Sequence, residues 1–398
     1  MAGLMVLLNA WHLKAIAADV ETLPRHIHMG QIKSGYIAGL DQVWASNGQL
    51  YNLGEARSVS FDGATLARVS PQAAQLVAAL NQFGSRGLGD QIQMGTLNIE
   101  TDPSVTYMAP VLAYGLTQAW TVGAGIPVVN YANRLTLSAS ASNLSFYRDQ
   151  LGGNTQLLDD ALNVNLVNET RKVIMEKGYR PLESRDDTFL GDIQLAALHR
   201  LKDIGAWAAA HQMTLTLPTG PKDDPDDLMS INAFGRTVFD NTLVLARPLS
   251  AVMTVVPYGS LSVTLPDRVT KRVPKNEDDV LPDANSKQDV VRFISPSMTL
   301  GSDIRYRLSD IWNVSGGLEG TIKGSDHYSG DGRVDLLARN SDAYVARVRG
   351  GVGYSSVDQY KAGKAMIPGR LSVDVSDTIA GRNIERQLRT DFSATLFF

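Results

Sequence analysis

Nine ionic residues in the last third of the chain carry the clearest chemical signal: Asp303, Arg305, Arg307, Glu319, Arg347, Arg349, Arg370, Asp374 and Arg389. They recur at alternate positions within apolar-polar runs, and alternate positions of a strand share one face. A guanidinium presents a planar fork that matches a carboxylate. On a common face these residues could bind an acidic head group or tune permeation, or could simply pair with one another in ladders of opposite charge. A second cluster, Asp223, Asp224, Asp226 and Asp227, follows Gly220 in a loop. Clustered carboxylates can hold Ca²⁺, but a solvated acidic loop explains them as well, and no metal is assigned. Asp326, Asp331 and Asp335 around Gly330-Asp331-Gly332 miss the EF-hand spacing and no Glu closes the loop. His199 and His211 fall on adjacent predicted strands and could meet as a structural pair. Gly123-Ala124-Gly125 is followed by Pro127 and no helix, which excludes a nucleotide loop. No Ser stands out as a nucleophile and Cys is absent, so no catalytic residue and no cofactor is assigned, and the chain is not read as an enzyme.

The elements that must position these residues are strands. Val105 to Ala113, Trp120 to Val128, Ile193 to Leu201, Trp207 to Leu217, Ala251 to Leu265, Ile294 to Tyr306, Trp312 to Ile322, Tyr344 to Tyr354 and Ile367 to Val375 all alternate apolar with polar residues. Many exceed the about 5–6 residues of a common strand and suit the about 9–11 of a tilted membrane crossing. Their second face carries Arg, Asp and Glu, as a wet lumen would. Connections alternate between short (Leu116–Ala119, Lys202–Gly205, Arg247–Ser250, Ser309–Ile311) and long (Ala132–Thr188, Pro218–Leu228, Pro266–Val290, Gly324–Asn340). The chain is 398 residues long with a net charge of −4, so no basic bias points to nucleic acid. The mean hydropathy of −0.09 is compatible with a barrel, because only alternate residues need face lipid. No apolar run is long enough for a transmembrane helix.

The last strand, Ile384 to Phe398, ends with Phe392, Ala394, Leu396 and Phe398 on one face and polar residues on the other. Phe392, Leu396 and above all the terminal Phe398 fit the signal that barrel-assembly machinery reads at the end of an outer-membrane strand. The expected fold is therefore all-β: a transmembrane antiparallel β-barrel of about 12–14 strands, located in the outer membrane of a Gram-negative bacterium among its lipid and lipopolysaccharide. The strand before Val105 is placed near Gln91 to Thr101. Residues 1–17 read as a signal peptide, with an apolar core at Leu4 to Trp11 and Ala15-Ile16-Ala17 before a cleavage at Ala18. Lys14 lies after that core and no basic residue precedes it, so an amphipathic helix is the alternative. Residues 18–89 form early strands or a plug, with a helix at 70–83 that begins at Ser70-Pro71. Residues 90–398 form the barrel. A further helix, Asn154 to Lys177, lies in the first long loop and stops at Gly178.

Residues Phe189 to Arg268 resemble the outer-membrane family called the MetA pathway of phenol degradation and, more distantly, the FadL-type transporters of hydrophobic compounds. The matching residues are Gly191-Asp192-Ile193-Gln194-Leu195, Arg200, and Leu215-Thr216-Leu217-Pro218-Thr219-Gly220 followed by the four aspartates. Tyr114-Gly115-Leu116-Thr117, Trp120-Thr121-Val122-Gly123 and Gly125-Ile126-Pro127 also look like that family's first hairpin. The resemblance implies passive uptake of a small hydrophobic ligand, a fatty acid or an aromatic hydrocarbon, through a lumen that an N-terminal segment plugs. The other reading is a structural or surface-interaction barrel whose lumen is closed by paired charges.

Overall fold

The computed structural model describes residues 20–54, 58–64, 71–82, 88–140, 142–143, 165–230 and 233–398. The chain divides into two units, residues 1–50, 103–133 and 185–398 in one and residues 51–102 and 134–184 in the other.

The first unit is a closed barrel of 12 strands. They are β1 (His28–Ala38), β2 (Gln93–Gly115, with residues 103–115 in this unit), β3 (Trp120–Gly125), β4 (Gln194–Arg200), β5 (Ala208–Thr216) and β6 (Val238–Pro248). Then follow β7 (Met253–Thr264), β8 (Ser297–Arg307), β9 (Trp312–Lys323), β10 (Ala343–Ser355), β11 (Gly369–Arg382) and β12 (Leu388–Phe397). Each pairs antiparallel with its neighbours in the chain, and β1 pairs with both β2 and β12, which closes the sheet. The strand that completes the barrel is therefore His28–Ala38. The segment near Gln91 to Thr101, expected as a separate strand, is the start of the 23-residue β2.

Exposure along the strands is the reverse of a soluble protein's. On β9, Leu318 is 60% exposed and Ile322 61% exposed, while Glu319 between them is buried. The same holds on β8, β10, β11 and β12, where Leu300, Val348, Leu371 and Phe392 point outward. In water such a surface would be a large unsatisfied apolar patch. In hydrocarbon it is the favourable face, and a charge placed there would cost about 2–4 kcal/mol at mid-membrane. Exposed Tyr306, Trp312, Tyr36 and Tyr344 stand near the strand ends, where amphipathic rings suit the two interfaces. One strand departs from the expected alternation. On β2 the set Val105, Tyr107, Val111 and Ala113 is buried, and Met108 and Leu112 face outward. Both faces of β2 are apolar there, so periodicity does not choose between them.

Phe392, Leu396 and Phe398 all lie on the outer face. Phe398 continues the β1–β12 ladder through two hydrogen bonds with His28, at 2.7 and 2.9 Å, and its ring stacks on the His28 ring at 5.6 Å. His199 and His211 face each other across β4 and β5. His199 is stacked on Trp120 at 4.2 Å.

Tight turns close one end of the barrel, for example Leu116 to Trp120 and Leu308 to Trp312, each held by a 2.9 Å backbone bond. Long loops leave the other end. There Asp192 explains the Gly-Asp and Leu-Pro-Thr-Gly residues together. Its carboxylate accepts the Gly220 N–H at 2.6 Å and the Gly235 N–H at 3.0 Å, while the Thr219 hydroxyl accepts the Ile193 N–H at 2.9 Å. Burial pushes the Asp192 carboxyl up from its ordinary value, against those backbone donors.

The acidic loop is occupied by cations of the chain itself. Asp223 pairs with Lys271, Asp226 with Arg272 at 2.6 Å and Lys287 at 2.9 Å, and Asp227 with Arg185 at 2.5 Å. Asp224 accepts the Asp226 N–H at 2.9 Å. The Lys287 and Arg272 partners hold the Asp226 carboxyl below its ordinary range. Lys271, Arg272 and Lys287 lie on a small hairpin, Asp267–Arg272 with Lys287–Phe293, whose third strand is His327–Ser329. Val273, Val290, Tyr328 and Val334 form its core. The loop is therefore an ion-paired clasp on this hairpin, which corrects the solvated-loop expectation. Of the other triad, Asp326 pairs with Lys323 at 2.6 Å and Asp335 with Arg333 at 2.9 Å.

The second unit contains helix α1 (Pro71–Gln82), a strand Val59–Asp62 paired with the start of β2, and helix α2 (Leu166–Glu176). Asn165 caps α2, its side chain accepting the Asn168 N–H at 3.1 Å, and Gly178 at φ +75 follows its end. The helix expected over Asn154 to Lys177 is thus present from Leu166. Its expected start at Asn154 or Thr155, the signal segment 1–17 and Ser70 lie outside the described residues.

Leu318→Arg should lower barrel stability by about 2–4 kcal/mol, read as an earlier unfolding midpoint in denaturant for protein reconstituted in vesicles. Thr321→Arg, on the inner face of the same strand, should leave the midpoint near that of the unmodified chain. Asp192→Ala should strand two backbone donors, at about 1–3 kcal/mol for each that is buried. Limited proteolysis should then cut between Gly220 and Gly235 while the barrel stays resistant.

Candidate functional site

The inner face of the barrel encloses a cavity of about 1060 Å³. All nine ionic residues singled out in the sequence line it. Period-2 alternation puts them there, on β8 to β12, and the register brings them together. Glu319 lies opposite Arg347 across β9 and β10, and Asp303 lies opposite Gly317, next to Arg349.

Three arginines are bound to carboxylates. Arg349 grips Asp303 in a two-pronged pair, Nε and Nη2 each donating at 2.6 Å. Arg347 donates to Glu319 at 3.1 Å, and Glu319 also accepts the Tyr258 hydroxyl at 2.7 Å. Arg389 donates to Asp391 at 2.9 Å and to the Tyr107 oxygen at 2.6 Å, and the Tyr107 hydroxyl donates to Asp391. Such pairing offsets the cost of removing the charges from bulk water. Close approach depends on missing side chains. A Cβ on Gly317 would collide with the Asp303 carboxylate, and one on Gly301 with the Tyr258 ring.

The remaining members are held differently. Arg307 donates to the Ala251 carbonyl at 2.5 Å. Arg370 lies 5.5 Å over the Phe397 ring. Asp374 accepts the Ser372 hydroxyl at 3.0 Å and lies opposite Asp391 in the β11–β12 register. Arg305 lies opposite Ser315 in the β8–β9 register.

Across the lumen the inner face is apolar at the turn end, where Leu23, Met29, Leu198 and Phe397 reach the cavity, and polar towards the loop end, where Gln194, Gln212, Thr214, Thr216 and Asp240 are buried. Val111, Ala113, Ala196, Leu198, Ala210, Val244, Ala246 and Val256 from β2 and β4 to β7 form one buried cluster with Met29 and with Val20. Val20 belongs to a short segment ahead of β1 that runs inside the barrel at its turn end. Thr22 donates to the Gln118 carbonyl at 2.7 Å, and the Thr121 hydroxyl accepts the Leu23 N–H at 2.7 Å. Glu21, Thr22, Leu23 and Pro24 all line the cavity.

Sequence reasoning missed Tyr107, Tyr258, Asp391 and Phe397 as members of the lumen. Asp391 was accessible by its spacing, two residues from Arg389 on the same face. Tyr258 shares the inner face with Thr254 and Ser260, but its ring reads as apolar in isolation. The apolar wall carries no motif, because its small aliphatic residues look like strand filler until the barrel closes.

No protein-family model matches the chain, and no curated protein matches it. Among solved structures, the chain is similar to the COG4313 outer membrane channel from Pseudomonas putida F1, at 14% identity and a TM-score of 0.53, over 96% of this chain and 98% of that one. It is also similar to the β domain of the Bordetella autotransporter BrkA, at 10% identity and a TM-score of 0.40, over 94% of this chain and 100% of that one. A third is the Pseudomonas putida toluene transporter TodX, at 10% identity and a TM-score of 0.34, over 97% and 93%. Of these three, the first alone exceeds a TM-score of 0.5, and with it this chain shares its fold: a closed, membrane-spanning antiparallel barrel.

Proposed function

We propose that the chain is an outer-membrane channel of a Gram-negative bacterium that passes small hydrophobic compounds inward, fatty acids or aromatic hydrocarbons, without cofactor, energy source or catalytic step. The observation that carries this reading is the lumen itself. A barrel filled only by charge pairs would have no use for an apolar lining, yet Leu23, Met29, Leu198 and Phe397 form an apolar wall over part of the 1060 Å³ cavity and pack on a buried aliphatic cluster. An apolar solute can lie against that wall at little desolvation cost. The fold shared with a known outer-membrane channel supports the location, as do the motifs of the first long loop. The surrounding partners are then outer-membrane lipid and lipopolysaccharide. Residues 1–17 serve as the export signal, and Phe392, Leu396 and Phe398 as the signal for the barrel-assembly machinery. The segment Val20 to Pro24 acts as the plug of residues 18–89, since it lies within the lumen at the turn end. The turn end faces the periplasm and the long loops face outward.

The ladders Arg349–Asp303, Arg347–Glu319 and Arg389–Asp391 favour a second reading, a closed structural barrel. Outer-membrane vesicles with and without the protein separate the two, with a labelled aromatic hydrocarbon and a labelled fatty acid as solutes. The channel reading expects faster uptake with the protein, and faster still when residues 20–24 are deleted. No difference in either form leaves the closed barrel. Glu319→Gln should weaken the hold on Arg347 and Arg349 and raise the anion-to-cation permeability ratio, read as a shifted reversal potential in a salt gradient across a planar bilayer.

A further inference from the structure

We propose that the lipid-facing side of β2 to β6 holds one glycerophospholipid of the periplasmic leaflet, with an acyl chain in a groove on the outside of the barrel and its phosphate on Arg247. The inference takes from the channel reading only that the turn end faces the periplasm, and it holds whether or not the lumen conducts.

The groove follows from side-chain size along the rungs of the sheet. One outward-facing rung across β2 to β6 runs Leu112, Ala124, Leu195, Leu215 and Phe239. The next rung toward the turn end runs Tyr114, Val122, Ala197, Met213 and Asn241. Leu112 is 69% exposed and Phe239 40%, whereas Ala124 and Ala197 end at Cβ. The large side chains stand as banks on either side of the two alanines, and the depression measures about 640 Å³. No described Asp, Glu, Lys or Arg lines it. A void on this face would forfeit dispersion contacts on one side, and a flexible hydrocarbon chain fills it.

The head group is placed by what lies below the groove. Trp120, His199 and His211 form the next rung, with His199 stacked on Trp120 at 4.2 Å. Such amphipathic rings suit the boundary between hydrocarbon and head groups. Beyond them, one residue past the rung of Ala208 and Ala246, stand Trp207 and Arg247. Val244 and Ala246 belong to the inner cluster, so alternation turns Arg247 outward, and it is exposed. From Met213 to Trp207 is six residues, about 20 Å of strand, a span that a glycerol backbone and an extended acyl chain cover together.

Charge identifies the head. The Arg247 guanidinium lies 5.8 Å over the Trp207 ring, and among the described residues it has no hydrogen bond and no ion pair. The carboxylate of the adjoining β4–β5 turn, Asp203, is held by Arg200 at 2.6 Å. Lys202 beside it is exposed and also without an ion pair among the described residues. Stacking on a ring leaves the edge of a guanidinium fork open, and a phosphate accepts two N–H donors from that edge. A cation with no carboxylate, set at the foot of a hydrocarbon groove, matches the phosphate and the chain of one lipid.

The test is native mass spectrometry of the full chain released from detergent micelles, with dioleoylphosphatidylglycerol or dioleoylglycerol added. One phosphatidylglycerol should be retained per barrel, and dioleoylglycerol, which has the same chains and no phosphate, should be retained at least about five-fold less. Ala197→Phe, which fills the floor of the groove, and Arg247→Gln, which removes the cation, should each lower retention of phosphatidylglycerol about five-fold. Unheated gel mobility confirms that each variant remains a folded barrel. Absence of retained lipid, equal retention of the two probes, or unchanged retention in the folded variants overturns the site. A mass of two chains that Ala197→Phe abolishes shows that a second copy covers the groove, and overturns it too.

Discussion

Hydrocarbon accepts neither an unpaired peptide group nor a bare guanidinium, and that intolerance shapes every other feature of this chain. A sheet in such a medium must have no edge, so β1 has to find β12. Every charge within the hydrocarbon span of the strands must turn inward. Once inward, Arg347, Arg349 and Arg389 are too close to low-dielectric walls to remain alone, so each is met by a carboxylate: Arg347 by Glu319 on the next strand, Arg349 by Asp303 two strands away and Arg389 by Asp391 on its own strand. The glycines at 301 and 317 then follow, because the pairs and rings need room that a Cβ would take.

The lumen that results has two characters. The strands rich in Arg and Asp, β8 to β12, make a wet wall. At the turn end β2 and β4 to β7 turn Ala, Val and Leu inward as a dry cluster, and towards the loop end the same side turns Gln194, Gln212, Thr214, Thr216 and Asp240 inward. Aromatic residues stand at both borders between them, Tyr258 on one side and Phe397 on the other, each under a guanidinium. A ring tolerates aliphatic neighbours at its edge and a cation on its face, so it is the natural joint between the two surfaces.

How much of this was legible depends on whether a residue's neighbours are local. The inward set from Asp303 to Arg389 was readable because alternation needs only the strand itself. Asp192 was readable as part of a motif but not as a latch, since its partners Gly220 and Gly235 belong to a distant loop. The four aspartates after Gly220 read as a solvated or metal-binding loop because Arg185, Lys271, Arg272 and Lys287 come from other segments. β1 was hard to count because His28–Ala38 carries Gly30, Gly35 and polar residues, and its status depends on both flanking strands. β2 was ambiguous in its faces because Met108, Val111 and Leu112 are all apolar, and only closure decides which of them sees lipid.

The seam between β1 and β12 also bears on how the molecule comes to be. The eleven other pairings of the barrel join strands that follow one another in its order along the chain, whereas Gln31 meets Thr395 from 364 positions away. Such a contact carries the heaviest loop-closure entropy of any in the sheet. The meander can therefore nucleate at many places, but the ring is completed in a single late event, and until then two bare edges await either each other or a neighbouring molecule.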